Sequence, residues 1–239
     1  MYRRLFLIVA LLVFAQAVAL NANETIKINF QAEGYDIPDG YLPDYGYMFG
    51  DRGNGYVYGW DNDTTSTAHD RAGTHSEQRY DTNIEMQDPV NRTWEIELPN
   101  GYYDIFLVCG DAYYDDHISN MDVEGNILED PDGRSRLDEF ILTTLVRDGR
   151  LTIKPAFGAV KTGLVFIHIT RLEIFKAYSP NPDDGAIHPD TWVNLSWLKG
   201  DAAVSHDVYF GTNFYDVRNG SADTYQGSES EASFIAGIK

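Results

Sequence analysis

TWEIELPNGYYDIFLVCG, residues 93–110, contains two strand patterns of different kinds. Residues 93–99 alternate between large apolar side chains and glutamates, which predicts a strand with one face in solvent. Residues 102–110 are apolar on both faces, which is typical of a central strand of a β-sandwich. Between them, Asn100 and Gly101 can supply the positive φ of a two-residue turn, so the sequence predicts a β-hairpin here.

Strand patterns recur along the rest of the chain, whereas helical periodicity is almost absent beyond residue 19. An Asp-Gly turn at 148–149 resembles the turn at 100–101 and predicts a second hairpin. Many short strands separated by turns favour an all-β fold, an antiparallel β-sandwich of the jelly-roll kind followed by a partial second β-sandwich. The further strands are predicted at 26–30, 120–125, 139–146, 150–157, 164–175, 192–200, 206–213 and 232–239.

The amino terminus has the pattern of a secretory signal peptide. Arg3 and Arg4 precede an apolar run at 5–14, and Ala17-Val18-Ala19 has the small residues that signal peptidase accepts. The alternative is a membrane anchor, but the run is shorter than the roughly 20 apolar residues that a span needs. We therefore expect cleavage after residue 19 and a secreted, extracellular or cell-surface protein.

The composition narrows the classes of partner. The chain has 239 residues and a formal net charge of −19. So acidic a protein is a poor match for nucleic acid or for an anionic membrane, since phosphate binding requires a basic surface. Neutral ligands and divalent cations remain compatible with it.

The single cysteine, Cys109, lies inside the apolar strand pattern of residues 102–110. It cannot form an internal disulfide, and no basic residue nearby in the sequence would activate its thiol. We expect a buried residue that acts as a small hydrophobe.

Four segments in order resemble the galactose-binding-like jelly roll: IKINF (26–30), RGNGYVYGW (52–60), LPNGYYDIFLVCGD (98–111) and FIHITRLEIF (166–175). This resemblance covers residues 24–176 and is closest to malectin-like modules and to accessory modules of bacterial polysaccharide lyases and esterases. It implies a carbohydrate-binding domain at 20–176 that is not itself catalytic. It also implies a structural calcium between the first and last strands, for which Glu33 and Glu173 are the candidate ligands.

A proline-rich segment after Lys176 predicts a linker into a second unit at 177–239. SPNPDDGAI (179–187), VNLSW (193–197) and SHDVYFGTNFYDV (205–217) resemble the first part of a fibronectin type III or immunoglobulin-like module. Such a module has roughly 100 residues, so the resemblance implies an incomplete one. We expect an N-terminal fragment of a larger extracellular protein, with a downstream catalytic domain as its possible partner.

The glycine-rich segment 52–60 offers the first candidate ligand site. Tyr58 and Trp60 alternate with Tyr56 on one face of a strand, and flat rings of this kind can stack on a sugar. Arg52 would add hydrogen bonds to hydroxyl groups. The alternative is that these rings fill the sandwich core, because aromatic side chains bury large areas. The sequence leaves both alternatives open.

The loop DAYYDDH (111–117) is the second candidate ligand site. Tyr113 and Tyr114 lie between polar neighbours, at an end of the sandwich where binding loops collect. Asp111 and His117 could fix sugar hydroxyls, since a carboxylate accepts hydrogen bonds from two donors. The alternative is a solvated acidic loop.

Taken together, the sequence predicts an exported, non-catalytic module that binds polysaccharide. No Gly-x-Ser-x-Gly or His-Glu-x-x-His motif is present, and a polar segment with His69, His75 and Arg79 is more typical of a surface loop than of a catalytic site. The alternatives are a structural or adhesive β-sandwich without a small ligand, and part of a polysaccharide lyase or esterase.

Overall fold

The computed structural model describes residues 25–187, 192–221 and 223–237. The predicted signal peptide lies outside these residues, so it stays a prediction. No helix among the described residues is long and apolar enough to cross a membrane.

Nearly all of the regular secondary structure among the described residues is β-strand, which confirms the all-β fold class. The described residues also contain two 3₁₀ turns, Thr65–Thr67 and Gln78–Tyr80, and one short α-helix, α1 (Phe214–Arg218). The side chain of Asn213 caps α1 by accepting a hydrogen bond from the backbone N–H of Tyr215. The strands are β1 (Thr25–Phe30), β2 (Leu42–Asp44), β3 (Gly50–Asp51), β4 (Val57–Trp60), β5 (Ala68–Asp70), β6 (Thr82–Glu85), β7 (Trp94–Glu97), β8 (Gly101–Gly110), β9 (Met121–Val123), β10 (Asn126–Leu128), β11 (Leu137–Val146), β12 (Arg150–Pro155), β13 (Gly163–Arg171), β14 (Tyr178–Asn181), β15 (Trp192–Leu198), β16 (His206–Tyr209), β17 (Tyr225–Glu229) and β18 (Ser233–Gly237).

Two sheets form the main sandwich. The seven-stranded sheet has the order β11-β8-β13-β1-β2, with β6 beside β13 and β5 beside β6. The six-stranded sheet has the order β10-β9-β12-β7-β4-β3. Neighbouring strands are antiparallel except for β1 and β2, which run parallel. This arrangement confirms the predicted antiparallel sandwich.

The two sheets share one apolar core. The ring of Phe30 in the first sheet lies 5.3 Å from the ring of Trp94 in the second, in an edge-to-face arrangement. The largest side chains without exposed area belong to both sheets: Trp60, Trp94, Tyr58, Tyr103, Phe30, Phe166, Ile28, Ile84, Met86, Ile96, Ile105 and Leu107.

A buried carboxylate joins two core indoles. Asp44 accepts hydrogen bonds from the indole N–H groups of Trp60, at 2.9 Å, and Trp94, at 2.8 Å. The backbone N–H of Gly46 is a third donor, at 2.8 Å. Burial raises the pKa of Asp44, and these donors lower it in part. The polar end of each large aromatic ring is therefore satisfied inside the core.

The predicted hairpin at Asn100-Gly101 is wrong. β7 pairs with β12 and β4 in one sheet, while β8 pairs with β11 and β13 in the other. Pro99 explains part of this result, because it has no N–H to complete the hydrogen-bonded pair that would close a two-residue hairpin. The turn instead connects the two sheets across the sandwich.

The predicted hairpin at 148–149 is also wrong, because the two strands that it would join do not pair. β11 and β12 also lie in different sheets. The two connections run side by side: Gly149 donates its N–H to the side chain of Asn100, and Leu98 donates its N–H to the carbonyl of Gly149. Each connection therefore satisfies backbone hydrogen-bonding groups of the other, which in a hairpin would pair with each other.

Cys109 is fully buried, as predicted for a small hydrophobe. Burial raises the pKa of its thiol well above the ordinary value. A thiol of this kind is protonated and unreactive at neutral pH.

A second aromatic cluster covers the outer face of the seven-stranded sheet. The hydroxyl group of Tyr41 lies 2.6 Å from Nε2 of His168, and the rings of Tyr80 and Phe166 meet edge to face at 4.9 Å. Burial, together with the nearby cations of Lys27 and Arg79, lowers the pKa of His168 to about 4. His168 is thus a packed, neutral residue of the fold.

The carboxyl-terminal part contains two smaller sheets. β14, β15 and β18 form a three-stranded sheet, and β16 pairs with β17. The predicted boundary at residue 176 falls between β13 and β14, which belong to different sheets. The division into domains, and the kinship of the second unit with fibronectin type III or immunoglobulin-like modules, stay predictions.

Candidate functional site

A cleft with converging polar groups lies at one end of the seven-stranded sheet. The register of that sheet places the end of β6, the end of β8 and the start of β13 side by side, because both β6 and β8 run antiparallel to β13. The cleft has a volume of about 310 Å³. Its lining residues are Glu85, Gln87, Asp88, Tyr114, Asp116, His117 and Lys161.

One wall of the cleft is built on a buried ion pair. Asp111 has no exposed area. Its two oxygens share the Nε–H of Arg71, at 3.0 and 2.8 Å, and Oδ2 also accepts a hydrogen bond from Nη2. The same carboxylate accepts the backbone N–H of Tyr113 at 2.8 Å. Asp111 was predicted to contact a ligand, and its burial shows instead that it anchors Arg71 and the start of the loop.

Arg71 connects the buried Asp111 to two residues that line the cleft, Tyr114 and Glu85. Its guanidinium lies 5.3 Å from the ring centre of Tyr114, in a cation–π arrangement, and 3.9 Å from the carboxylate of Glu85. Glu85 also lies 3.2 Å from His69. The hydrogen bond from His69 lowers the pKa of Glu85 most, and the charge of Arg71 lowers it further. Glu85 is therefore ionised and can accept hydrogen bonds from a ligand.

The aromatic residues of this loop face solvent, where the sequence placed them. The side chains of Tyr113 and Tyr114 are 58% and 50% exposed, and their rings meet edge to face with centroids 4.9 Å apart. Of the two rings, Tyr114 also contacts the guanidinium of Arg71, so its position is held by one more contact than that of Tyr113. The ring of Tyr114 thus lines the cleft, is half exposed and has a face that an apolar surface of a ligand could contact.

The base of the loop is fixed by backbone pairing. His117 is 2% exposed, its Nδ1 lies 3.2 Å from the carbonyl oxygen of Tyr114, and its backbone pairs with Ser135. It lines the floor of the cleft, but its main contacts are within the protein. Asp116 pairs with Lys161, which lowers the pKa of Asp116 and raises that of Lys161.

The other predicted ligand residues lie elsewhere and are built into the fold. Tyr58 and Trp60 have no exposed area, so the alternation is correct but the shared face is the core. A ring without exposed area cannot stack on a sugar, and their assignment to a ligand site is wrong. The hydroxyl group of Tyr58 donates to the carbonyl of Pro43 at 2.8 Å and accepts from Asn54 at 3.0 Å.

Arg52 lies at the edge of this core. Its Nη2 donates to the carbonyls of Tyr47 and Met48, and its guanidinium lies over the rings of Tyr47 and Tyr58. A second depression, of about 300 Å³, adjoins it. Gly59, with φ +137°, permits the approach, since an added Cβ would meet the guanidinium at 2.0 Å. Arg52 therefore supports the glycine-rich corner through its own backbone contacts.

The calcium ligands that the resemblance implies do not fit together. Thr25 pairs with Thr170 in the antiparallel β1–β13 ladder, so Glu173 follows β13 at the end where β1 begins. Glu33 follows β1 at the opposite end and accepts a hydrogen bond from Tyr47. One strand length, roughly 17 Å, separates the two ends. One ion cannot contact both carboxylates, and this predicted site is wrong.

The sequence did not indicate four residues that line the cleft, Glu85, Gln87, Asp88 and Lys161, or Arg71, which supports Tyr114. Arg71, Glu85 and Lys161 come from three separate segments and carry no shared motif. His69 and Arg79 were considered as possible site residues, and only His69 lies beside Glu85. Only the strand register brings Arg71, Glu85 and Lys161 together, so no local pattern could have identified them.

No family model and no curated protein matches the chain. Among solved structures, protein YxiM from Bacillus subtilis is 22% identical, with a TM-score of 0.45, over 62% of this chain and 40% of its own. The β-glucuronidase of Bacteroides uniformis is 14% identical, with a TM-score of 0.39, over 62% of this chain and 18% of its own. The exo-β-1,3-galactanase of Phanerochaete chrysosporium, solved with β-1,3-galactotriose, is 16% identical, with a TM-score of 0.27, over 43% and 25%. The chain thus spans less than half of each protein, and TM-scores this low carry no inference about its function.

Proposed function

We propose that this protein is an exported, non-catalytic module that binds polysaccharide at the cleft beside Tyr113 and Tyr114. The observation that carries the proposal is a polar cleft of about 310 Å³ that the exposed ring of Tyr114 lines, with the exposed ring of Tyr113 beside it. The rings can stack on the apolar face of a pyranose, while the carboxylates and the amide that line the cleft can bind its hydroxyl groups.

The state of the carboxylates favours binding over catalysis. A glycoside hydrolase requires one carboxyl group that stays protonated to act as the acid, and its pKa is raised for that purpose. The pKa values of Glu85 and Asp116 are both lowered, by His69 and Lys161 respectively. Both groups are therefore suited to accepting hydrogen bonds from a sugar and unsuited to donating a proton.

The alternatives make different predictions for the same residues. A structural or adhesive module would retain its properties when the exposed rings are removed. A lyase or esterase would convert a polymer. The proposal also includes export to the cell surface or the extracellular space. It includes attachment to a downstream catalytic domain.

Affinity electrophoresis tests the proposal. The chain is run through gels that contain pectic galactan, rhamnogalacturonan or xylan, and retardation by one polymer is the expected result. Tyr113→Ala/Tyr114→Ala should remove the retardation. The matched control is Tyr209→Ala/Tyr225→Ala, which removes another partly exposed ring pair, with centroids 5.3 Å apart.

The outcomes separate the candidates. Retardation that the control keeps and the first double variant loses supports a glycan site in this loop. A folded chain that no polymer retards, or whose retardation survives Tyr113→Ala/Tyr114→Ala, contradicts the proposed site. Release of reducing ends, unsaturated sugars or acetate from any polymer would show an enzyme instead.

A further inference from the structure

The cleft that Tyr114 lines carries more negative than positive charge. The carboxylates of Glu85, Asp88 and Asp116 line it, against the single ammonium group of Lys161. This local excess adds to the net charge of −19 on the whole chain. The balance of charge bears on which class of polysaccharide the cleft accepts, neutral or acidic.

The one cation that lines the cleft is already paired. Nζ of Lys161 donates a hydrogen bond to Oδ2 of Asp116, which lowers the pKa of Asp116 and raises that of Lys161. The side chains of Lys161 and Asp116 are 62% and 35% exposed, so the pair adds little to stability. The pair matters more for a ligand, because an acidic group that took Lys161 would leave the charge of Asp116 uncompensated beside it.

Two further cations lie near the cleft without lining it. Arg71 donates hydrogen bonds to the buried carboxylate of Asp111, and its side chain is 16% exposed. Arg134 is exposed and donates to the carbonyl oxygen of Asp116 at 3.0 Å. Among the residues that line the cleft, all of which are described, no cation is left without a carboxylate partner.

The hydrogen-bonding groups of the cleft match hydroxyl groups better than carboxylates. A sugar hydroxyl group both donates and accepts hydrogen bonds, whereas an ionised carboxylate only accepts them. The hydrogen bond from His69 lowers the pKa of Glu85, so Glu85 is ionised at neutral pH and acts as an acceptor. Asp88 is exposed and offers a second carboxylate. A uronate, sulfate or phosphate group placed here would meet acceptors of its own charge instead of donors.

We propose that the cleft selects uncharged polysaccharide and rejects polymers that carry uronate, sulfate or phosphate groups. Asp116 contributes to this selection by neutralising Lys161, and Asp88 contributes through its own charge. The inference rests on the proposed function and narrows it, because it names the class of polymer. Its basis is repulsion of the unwanted ligand, which is a common source of specificity.

The charges inside the cleft can be separated from the general acidity of the chain. At an ionic strength of about 0.15 M, exposed charges more than about 8 Å apart are largely screened from each other. One unit charge at about 5 Å from a charged ligand group still changes the affinity by about 4-fold in water. Residues that line the cleft should therefore decide the selection, whereas a distant acidic residue should not.

Calorimetric titration of the full chain with matched polymers tests the inference at about 150 mM NaCl. The first pair is pectic galactan and the same galactan after partial oxidation of its primary hydroxyl groups to carboxylates. The other two pairs are rhamnogalacturonan and glucuronoxylan, each with its carboxyl-reduced form. Linkage and sugar configuration are the same within a pair, so the ratio of the two affinities reports the effect of charge. We expect the uncharged member to bind about 5-fold more tightly or better.

Two variants test the residues that set this ratio. Asp116→Asn leaves Lys161 without its ionic partner, so the affinity for the acidic member, relative to the uncharged member, should rise about 4-fold. Asp88→Asn removes an exposed charge, so the chain should fold, and the ratio should change in the same direction. The matched control is Asp184→Asn, which removes one exposed charge from the second unit and should keep the ratio within about 2-fold of wild type.

The outcomes distinguish this inference from the proposed function. A preference for the uncharged member that weakens in Asp116→Asn and Asp88→Asn, and persists in Asp184→Asn, supports the inference. An acidic member that binds as tightly as its uncharged partner would overturn the inference and leave the proposed function standing. Unchanged ratios in both cleft variants would do the same. Binding of none of these polymers would contradict the proposed function itself, and the inference with it.

Discussion

Two pairs of aromatic residues occupy opposite environments in this molecule. Tyr58 and Trp60 alternate along β4 and have no exposed area, while Tyr113 and Tyr114 follow β8 and are at least half exposed. Both pairs come with glycine and aspartate neighbours in the sequence, and both were candidates for a ligand site. The difference shows that aromatic residues in a sequence do not by themselves indicate an exposed surface. The hydrogen-bond partners of their polar atoms distinguish the two environments.

The polar atoms of the buried pair are all used within the fold. The indole of Trp60 donates to Asp44, and the hydroxyl group of Tyr58 donates to a backbone carbonyl. In the exposed pair, by contrast, the ring of Tyr114 lies against one cation, Arg71, and the ring of Tyr113 meets that of Tyr114 edge to face. The first pair therefore contributes to stability, and the second is the pair for which we propose a role in recognition. Substitutions should separate the two effects.

The largest loss of stability is expected from Trp60→Ala. This change removes a fully buried ring and leaves Asp44 with one indole donor instead of two. The free energy of unfolding should fall by about 3–5 kcal/mol, measured by urea denaturation at pH 7. A loss below about 1 kcal/mol would mean that Trp60 is not part of the core.

Asp111→Ala should cost less stability than Trp60→Ala. It removes the buried carboxylate that holds Arg71, whose side chain is 16% exposed and retains only Glu85, at 3.9 Å, as an anionic neighbour. The expected loss is about 2–4 kcal/mol, because an unpaired cation stays partly buried. Asp111→Ala/Arg71→Met should recover part of it in a double-mutant cycle. Full additivity of the two changes would contradict the pairing.

Local patterns predicted the long strands, but not the short strands β2, β5, β6, β10 and β17, and not the strand partners. Residues 102–110 and 139–146 were correctly predicted as strands because short, largely apolar runs bounded by turn signals indicate buried strands. The turn at 100–101 was wrongly predicted as a hairpin, since a glycine turn also suits a connection between two sheets. The proline at 99 was the sequence signal against it.

The candidate site was predictable only in part. Tyr113 and Tyr114 were found because polar neighbours in a loop indicate exposure. Asp111 was assigned to the ligand because no sequence pattern shows that Arg71, 40 residues away, neutralises it. Glu85 and Lys161 reach the cleft through the long-range register of β6 and β13, which only the folded chain defines.

The outer face of the seven-stranded sheet offers a pH test of packing. His168 has a pKa of about 4 in the folded chain, against an ordinary 6.5. The unfolded chain therefore binds the proton more tightly, so the contribution of His168 is present above about pH 6.5 and is lost as the pH falls towards 4. His168→Gln should reduce the loss of stability over this range by roughly 1–2 kcal/mol, a figure discounted for partial exposure.

The measurement is the difference in unfolding free energy between wild type and His168→Gln at several pH values from 7 to 4. Only the difference is informative, because Asp44, whose pKa is raised, acts in the opposite direction as the pH falls. A constant difference across the range would show that His168 titrates normally in the folded chain.

The smallest effects are expected from single substitutions in the exposed pair, and they should be unequal. Tyr113→Ala should change the free energy of unfolding by less than about 0.5 kcal/mol, as at an ordinary surface position. Tyr114→Ala also removes the cation–π contact with Arg71, so about 0.5–1 kcal/mol is expected. Urea denaturation of both variants measures this, with Tyr225→Ala as a control for an exposed ring outside the sandwich. If both variants lost the same amount of unfolding free energy, above about 2 kcal/mol, the two rings would be core residues. The contrast between the buried and the exposed pair would then be wrong.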